Sequence, residues 1–291
     1  LYESQESSGE VSLEELFDSP DKISGSNAHD IDSLAFLICR GGWPHAIGMK
    51  RKAALSQAED YFDAVVKSDI NRADGVNKNP ERVKRLMRSY ARYQGAQITG
   101  TALRDDIFAN ETETISEDTV LSYVNALKKI FVIEDMPSWN PNLRSKTAIR
   151  SSDTRYYADP SIATAALGVG PYDLMNDLNT FGLLFETLCV RDLRVYADAL
   201  GGQVLHYRDK SGLECDTVIH LKNGTYGLAE IKLGGDKLIE EGAKNLKALA
   251  EKIDTSKMKA PAFMMIVIGV GDYAYRRQDG IYIVPIGCLK N

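Results

Sequence analysis

Two short segments hold the side chains with the most chemistry in this sequence, Glu214-Cys-Asp216 and Glu230-Ile-Lys232. In a β-strand, residues two apart project from the same face. Glu230 therefore points with Lys232, and Glu214 with Asp216. Between the segments lies Lys222-Asn-Gly224-Thr225, a good hairpin turn flanked by β-forming runs. Closing that hairpin brings Asp216 near Glu230 and assembles two carboxylates and an ammonium in one spot. Hard oxygen ligands of this kind hold Mg²⁺ or Mn²⁺, which can activate a water and stabilise a phosphodiester transition state. Asp216 and Glu230 are the candidate metal ligands. Lys232 would orient or deprotonate the water, or offset charge developing on phosphate. The alternative is an ordinary solvent-facing hairpin laced with salt bridges, because such spacings often arise by accident.

Glu186 is a further candidate. On a helical wheel it lies with Leu183, Val190 and Leu193, while Phe181, Leu184, Phe185 and Leu188 line the other side. A helix that is apolar nearly all round is a buried one. A carboxylate within it is costly unless it is paired or ligates a metal. Glu186 is thus either an auxiliary ligand or orienter of the site, or a structural partner for an arginine or lysine.

The elements that must position these groups follow Gly168-Val-Gly-Pro171. A helix is predicted over Asn179 to Leu200, then strands at Gln203 to Tyr207, Leu213 to Leu221 and Tyr226 to Leu233. Asp236 or Lys237 starts a helix to Ile253, with Ile239, Ala243, Leu246, Ala250 and Ile253 on its apolar face. The apolar run Phe263 to Ile268 reads as a strand buried on both faces, as found inside mixed or parallel sheets. Ile281 to Pro285 is a last strand.

Upstream, residues 1 to 29 are polar and Ser-rich, apart from an apolar knot at Val11, Leu13, Leu16 and Phe17. Asp30 is the N-cap of a helix that stops at Gly41-Gly42-Trp43-Pro44. A second helix is predicted from Arg51 to Ile70, and Asn71 to Asn79 reads as a linker. From Pro80 three helices follow closely. The first carries the stripe Val83, Leu86, Met87 and Tyr90, and the second covers Thr99 to Ile107. Ser116 caps the third, whose expected buried face is Val120, Tyr123, Val124, Leu127 and Phe131. Short strands are expected at Phe131 to Ile133 and Arg155 to Tyr157, around an irregular stretch from Pro137 to Arg150. Three helices and a strand pair make the layout of a winged helix-turn-helix. The expected division is therefore 1–79, 80–167 and 168–291.

Composition sets the limits. The apolar fraction of 44% and charged fraction of 26% are those of a folded globular protein. No run approaches the ~20 apolar residues of a membrane span, and no secretory leader pattern is present. The four cysteines, Cys39, Cys189, Cys215 and Cys288, show no metal-ligand spacing and read as buried thiols in a reducing compartment. The expected location is the cytoplasm. Residues 175 to 291 carry 15 basic and 15 acidic side chains, which argues against a dedicated DNA-binding domain there. The best basic patch is Arg82, Lys84, Arg85, Arg88 and Arg92. The exposed face of the third helix offers Ser122, Asn125 and Lys129 beside Asp118, a weak mixture for DNA.

A helix bearing Glu186, a strand bearing Asp216 and a strand bearing Glu230-Ile-Lys232 resemble the PD-(D/E)xK nuclease superfamily. In detail, Phe185-Glu186, Glu214-Cys-Asp216-Thr-Val and Ala229-Glu230-Ile-Lys232 resemble the uncharacterised C-terminal domain of many prokaryotic AAA-type ATPases. Leu1-Tyr-Glu-Ser, Arg40-Gly-Gly-Trp-Pro44, Asp69-Ile70 and Arg155-Tyr-Tyr-Ala-Asp-Pro160 match further stretches of that family. The resemblance implies a helical lid remnant over 1–79, a winged helix over 80–167 and a restriction-endonuclease-like α/β domain over 168–291. It also implies an N-terminal P-loop ATPase module. No GxxxxGK[ST] occurs here, so ATP would bind only in the full-length protein. With Leu1 in place of an initiator methionine, the chain reads as a fragment. Gly42-Trp-Pro44 resembles the Gly-x-Pro signature by which the lid of related ATPases senses nucleotide; the alternative is a plain helix stop. The implied function is Mg²⁺-dependent cleavage or binding of DNA coupled to ATP. The rival is a nuclease fold kept as a non-catalytic platform that relays the ATPase state to a partner protein.

Overall fold

A computed structural model describes residues 1–19, 23–73, 75–108, 116–141 and 152–291. In chain order its elements begin with β1 (Val11–Ser12), α1 (Leu13–Asp18), β2 (Gly25–Ser26) and α2 (Ile31–Arg40). The helices α3 (Arg51–Ala64), α4 (Ile70–Arg72), α5 (Pro80–Arg92), α6 (Gly100–Phe108) and α7 (Glu117–Lys129) follow. Then come α8 (Pro160–Leu167), α9 (Pro171–Asn176) and α10 (Leu178–Ala199). The remainder comprises β3 (Gly202–Arg208), β4 (Glu214–Leu221), β5 (Tyr226–Lys232), α11 (Asp236–Lys252), β6 (Met264–Ile268), β7 (Tyr273–Arg276), β8 (Tyr282–Pro285) and β9 (Leu289–Lys290). The chain divides into two compact units. One is a sheet unit of residues 1–34, 136–152 and 188–291; the other is a helical unit of residues 35–135 and 153–187.

In the sheet unit, seven strands run in the order β2-β7-β8-β6-β5-β4-β3. The strands β3, β4 and β5 form an antiparallel meander, and β5, β6 and β8 are parallel neighbours. The meander follows from its turn chemistry. Gly224 supplies a φ of +82°, and Asn223 Oδ1 accepts from the Thr225 amide at 2.9 Å. One sheet face packs on α11, where Ile239, Ala243, Leu246 and Leu249 meet Val218, Leu228, Ile266 and Ile283. Gly227 is needed in β5 because a Cβ there would lie 2.2 Å from the Phe263 ring. The strand β6 is buried at Met265 to Ile268, as its unbroken apolar run requires.

The N-terminal segment belongs to this unit. Leu13 and Leu16 are buried, and the Phe17 ring meets Phe263 edge-on at 4.9 Å. Val11–Ser12 pairs in parallel with Leu289–Lys290, and Gly25–Ser26 pairs with β7. Asp30 caps α2 as expected, its carboxylate accepting from the Ser33 amide at 2.8 Å.

In the helical unit, α5 packs on α6 and α8, α3 on α8, and α6 on α7. Asn79 caps α5 through the Glu81 and Arg82 amides, with Pro80 in the first turn. The stripe Val83, Leu86, Met87 and Tyr90 is fully buried. The helix expected to run from Arg51 to Ile70 instead changes at Ala64 to a π-helical stretch over Val65–Asp69. That wider turn lets the consecutive Val65 and Val66 both face inward.

The two strands expected after α7 reduce to a single antiparallel bridge, Ile133 to Tyr157. Phe131 is not on the buried face of α7 but 81% exposed. It closes the helix in the left-handed region (φ +57°). Its amide donates to Lys128 O at 3.0 Å, and the Val132 amide donates to Leu127 O at 3.0 Å. Glycine usually takes that position, and the reversal swings the ring into solvent. Of the irregular stretch expected from Pro137 to Arg150, residues 142–150 lie outside the described residues.

The Arg40–Pro44 and Asp159–Ser161 segments interlock within this unit. Gly42 N donates to Asp159 Oδ2 and Trp43 Nε1 to Ser161 Oγ, both at 2.9 Å. Gly41 adopts φ +75°, and a Cβ there would lie 2.3 Å from Ser161 Oγ. The glycine pair therefore stops α2 and also admits the neighbouring segment.

Candidate functional site

The hairpin delivers three of the four residues singled out in the sequence. The β4–β5 ladder ends at the pair Thr217–Ala229, and Asp216 and Glu230 each lie one step beyond it. There the Asp216 side chain replaces the missing ladder bond, its Oδ2 accepting from the Ile231 amide at 2.7 Å. Lys232 closes the group, with its Nζ 3.1 Å from Asp216 Oδ2 and 2.7 Å from Glu230 Oε2. Glu230 is 1% exposed, whereas Asp216 and Lys232 retain 19% and 21%. The cluster therefore has a buried floor and an open side.

The helix α11 passes the cluster at Gly242. A Cβ built there would stand 3.4 Å from Glu230 Cβ and 3.5 Å from Lys232 Cε, ordinary contact distances. Burial alone would depress the Lys232 ammonium, but Asp216 and then Glu230 outweigh it and hold the group above its usual range. Lys232 is charged at neutral pH. Burial pushes the neighbouring Cys215 thiol well above its usual value, and Glu230 and Asp216 push it further. Cys215 is accordingly a buried thiol and no nucleophile.

Glu214, which shares the spacing of Asp216, pairs instead with Arg208 across β3 and β4 at 3.1 Å. Glu186 lies in the helical unit. Its carboxylate accepts the Tyr156 hydroxyl and abuts Gly95, where a Cβ would come within 2.8 Å of Oε1. At the next position, Thr187 Oγ1 donates to Gln94 Oε1 at 3.3 Å. The sequence reading of Glu186 as an auxiliary ligand, or as the partner of an arginine or lysine, did not include this tyrosine. A tyrosine some thirty positions away leaves no local signal.

Among the described residues, no group of three or more His, Cys, Asp or Glu side chains is arranged to hold a metal ion. A divalent cation at the hairpin would draw on Asp216 and Glu230 alone. That donor set fits Mg²⁺ or Mn²⁺, because Mg²⁺ commonly binds through one or two carboxylates and keeps several waters. The cysteines of the chain are all free and buried. Among the described residues, no helix is long and apolar enough to cross a membrane.

No curated protein matches this chain, and no solved structure matches it. Residues 31–173 match a family described as Domain of unknown function (DUF8612). Residues 181–289, which contain the whole hairpin cluster, match Domain of unknown function (DUF4143), a domain often found in AAA-ATPase-associated proteins.

Proposed function

We propose that the sheet unit is a PD-(D/E)xK nuclease-like module that binds Mg²⁺ or Mn²⁺ through Asp216 and Glu230 and hydrolyses DNA phosphodiesters. The observation that carries this reading is the convergence of Asp216, Glu230 and Lys232 at the end of the β4–β5 ladder. Asp216 and Glu230 supply hard oxygen donors on neighbouring strands. A cation bound there would supply Lewis acidity and a more acidic bound water. Lys232, charged and one-fifth exposed, is placed to hold a phosphate oxygen or to direct a water. On the same reading, residues 1–79 include the lid remnant of an ATPase, residues 80–167 include a winged helix, and ATP binds to an N-terminal module outside this chain.

A non-catalytic platform is the second reading, and two observations favour it. Lys232 already spans both carboxylates, and Glu186 is engaged with Tyr156. In that case the nuclease-like surface relays the ATPase state to a partner protein. Nicking of supercoiled DNA in millimolar Mn²⁺ separates the two. The nuclease reading expects nicking by the wild type and its loss in Asp216→Asn, Glu230→Gln and Lys232→Ala. Wild-type nicking no faster than in these variants would reject it and leave the platform.

A further inference from the structure

The basic residues of α5 have separate fates. Arg92 pairs with Asp106 at 3.5 Å, whereas Lys84 and Arg88, one turn apart and exposed, have no ion-pair partner among the described residues. Both open onto a cleft of about 550 Å³ within the helical unit. The cleft lies over the C-terminal end of α8, which packs on both α3 and α5. Its opposite lining comes from α3, with Glu59, Asp60 and Asp63. Asp63 is tied to Lys67 at 2.6 Å, while Glu59 and Asp60 are exposed and have no ion-pair partner among the described residues. Apolar lining comes from Leu55 and Phe62 of α3 and, on the floor between the two walls, from Ala165 and Leu167 of α8.

The backbone at the cleft's end is not an anion cradle. The Gly168 and Val169 amides donate to Thr164 O at 2.9 and 3.1 Å, and the Gly170 amide donates to Asp173 Oδ2 at 2.8 Å. Lys84 and Arg88 are thus the donors that face the cleft from this side. Opposite charges share one cleft yet do not reach each other, so the gap between the walls exceeds ion-pair distance. A lone anion would meet the carboxylates of α3, and a lone cation would meet the ammonium and guanidinium of α5. A ligand with both signs satisfies both walls and lays an apolar group on the floor. The volume lies in the range of small-ligand sites.

We infer that this cleft binds a short peptide segment carrying an acidic group, a central apolar side chain and a basic group. The acidic end lies on Lys84 and Arg88, and the basic end on Glu59 and Asp60. The site is independent of the hairpin cluster. The test is isothermal titration of the full chain with an end-blocked hexapeptide of two lysines, two leucines and two glutamates in that order. Controls replace the glutamates by lysines, or the lysines by glutamates. Saturable one-to-one binding of the mixed peptide is expected, at least about fivefold tighter than either control. Binding should weaken about tenfold in Lys84→Glu with Arg88→Glu and equally in Glu59→Lys with Asp60→Lys, and should be unchanged in Lys232→Ala. All substituted positions are on the surface, and circular dichroism verifies that the variants stay folded. Absence of saturable binding, equal binding of a single-sign peptide, or full competition by inorganic phosphate would each overturn the inference. Indifference to both double variants would overturn it as well.

Discussion

The two units build their charged clusters in opposite ways. In the helical unit a single carboxylate, Asp135, is 2% exposed and gathers several donors. Lys128 Nζ lies 2.7 Å away, and Arg155 and the Tyr90 hydroxyl also bond to it. In the sheet unit a single ammonium, Lys232, gathers two carboxylates. The first arrangement ties α5, α7 and the segment at Arg155 together through one buried acid, and all its parts serve the fold. The second brings like charges side by side at a partly open place. Repelling carboxylates weaken a fold unless something offsets them, and here Lys232 is the group that does so. On the proposed reading, a divalent cation would add to the compensation that Lys232 supplies.

The largest expected effect lies in the structural cluster. Asp135→Ala strands Lys128, Arg155 and Tyr90 around an empty position, and breaking a buried pair of this kind costs about 3–5 kcal/mol. Urea unfolding measures it, and a loss under about 1 kcal/mol would erase the contrast. Lys232→Met is expected to cost less, about 1–2 kcal/mol, because the cluster is partly solvated. Its pH dependence has a definite sign. Lys232 is held above its usual range, so its contribution is complete below about pH 10 and is lost as pH rises past the folded value. The stability gap between wild type and Lys232→Met should therefore be constant from about pH 7 to 9 and close only in stronger alkali. A gap that closes near neutrality would mean that Lys232 is uncharged there.

Smaller effects are expected at Glu186 and Gly242. Glu186→Gln keeps an acceptor for Tyr156 and should cost about 0.5–1 kcal/mol, with no change in any response to Mn²⁺. Gly242→Ala gains up to about 1 kcal/mol of helix propensity against a contact of 3.3 Å to Ile266. Its net effect on urea unfolding should lie within about 0.5 kcal/mol of zero. A large loss would show that α11 cannot move from the cluster even slightly.

What was legible in the sequence follows from which interactions are local. The β4–β5 hairpin could be read because its turn residues and its alternation lie within twenty positions, and the placement of Asp216, Glu230 and Lys232 came with it. The helices α5, α7 and α11 announced themselves by caps and stripes. Two-residue strands carry no periodicity, so the pairing of Val11–Ser12 with Leu289–Lys290 had no signal. Nor had the interlock of Gly42 with Asp159 or the bond from Tyr156 to Glu186, which depend on side chains brought together by the fold. Phe131 was misplaced for another reason. Helical spacing extrapolated α7 two residues past its end at Lys129, and the left-handed closing residue reversed the direction of the side chain.

The most direct measurement is the melting temperature of the full chain with and without millimolar Mn²⁺, compared across single variants. If Asp216 and Glu230 are the cation's ligands, Mn²⁺ raises the melting temperature of the wild type by mass action. The rise should disappear in Asp216→Asn and in Glu230→Gln. It should persist or grow in Lys232→Ala, where the cation replaces the lost ammonium. It should be unaffected in Glu186→Gln. An equal rise in the wild type and both carboxylate variants, or no rise in any of them, would contradict the assignment of the hairpin cluster as a cation site.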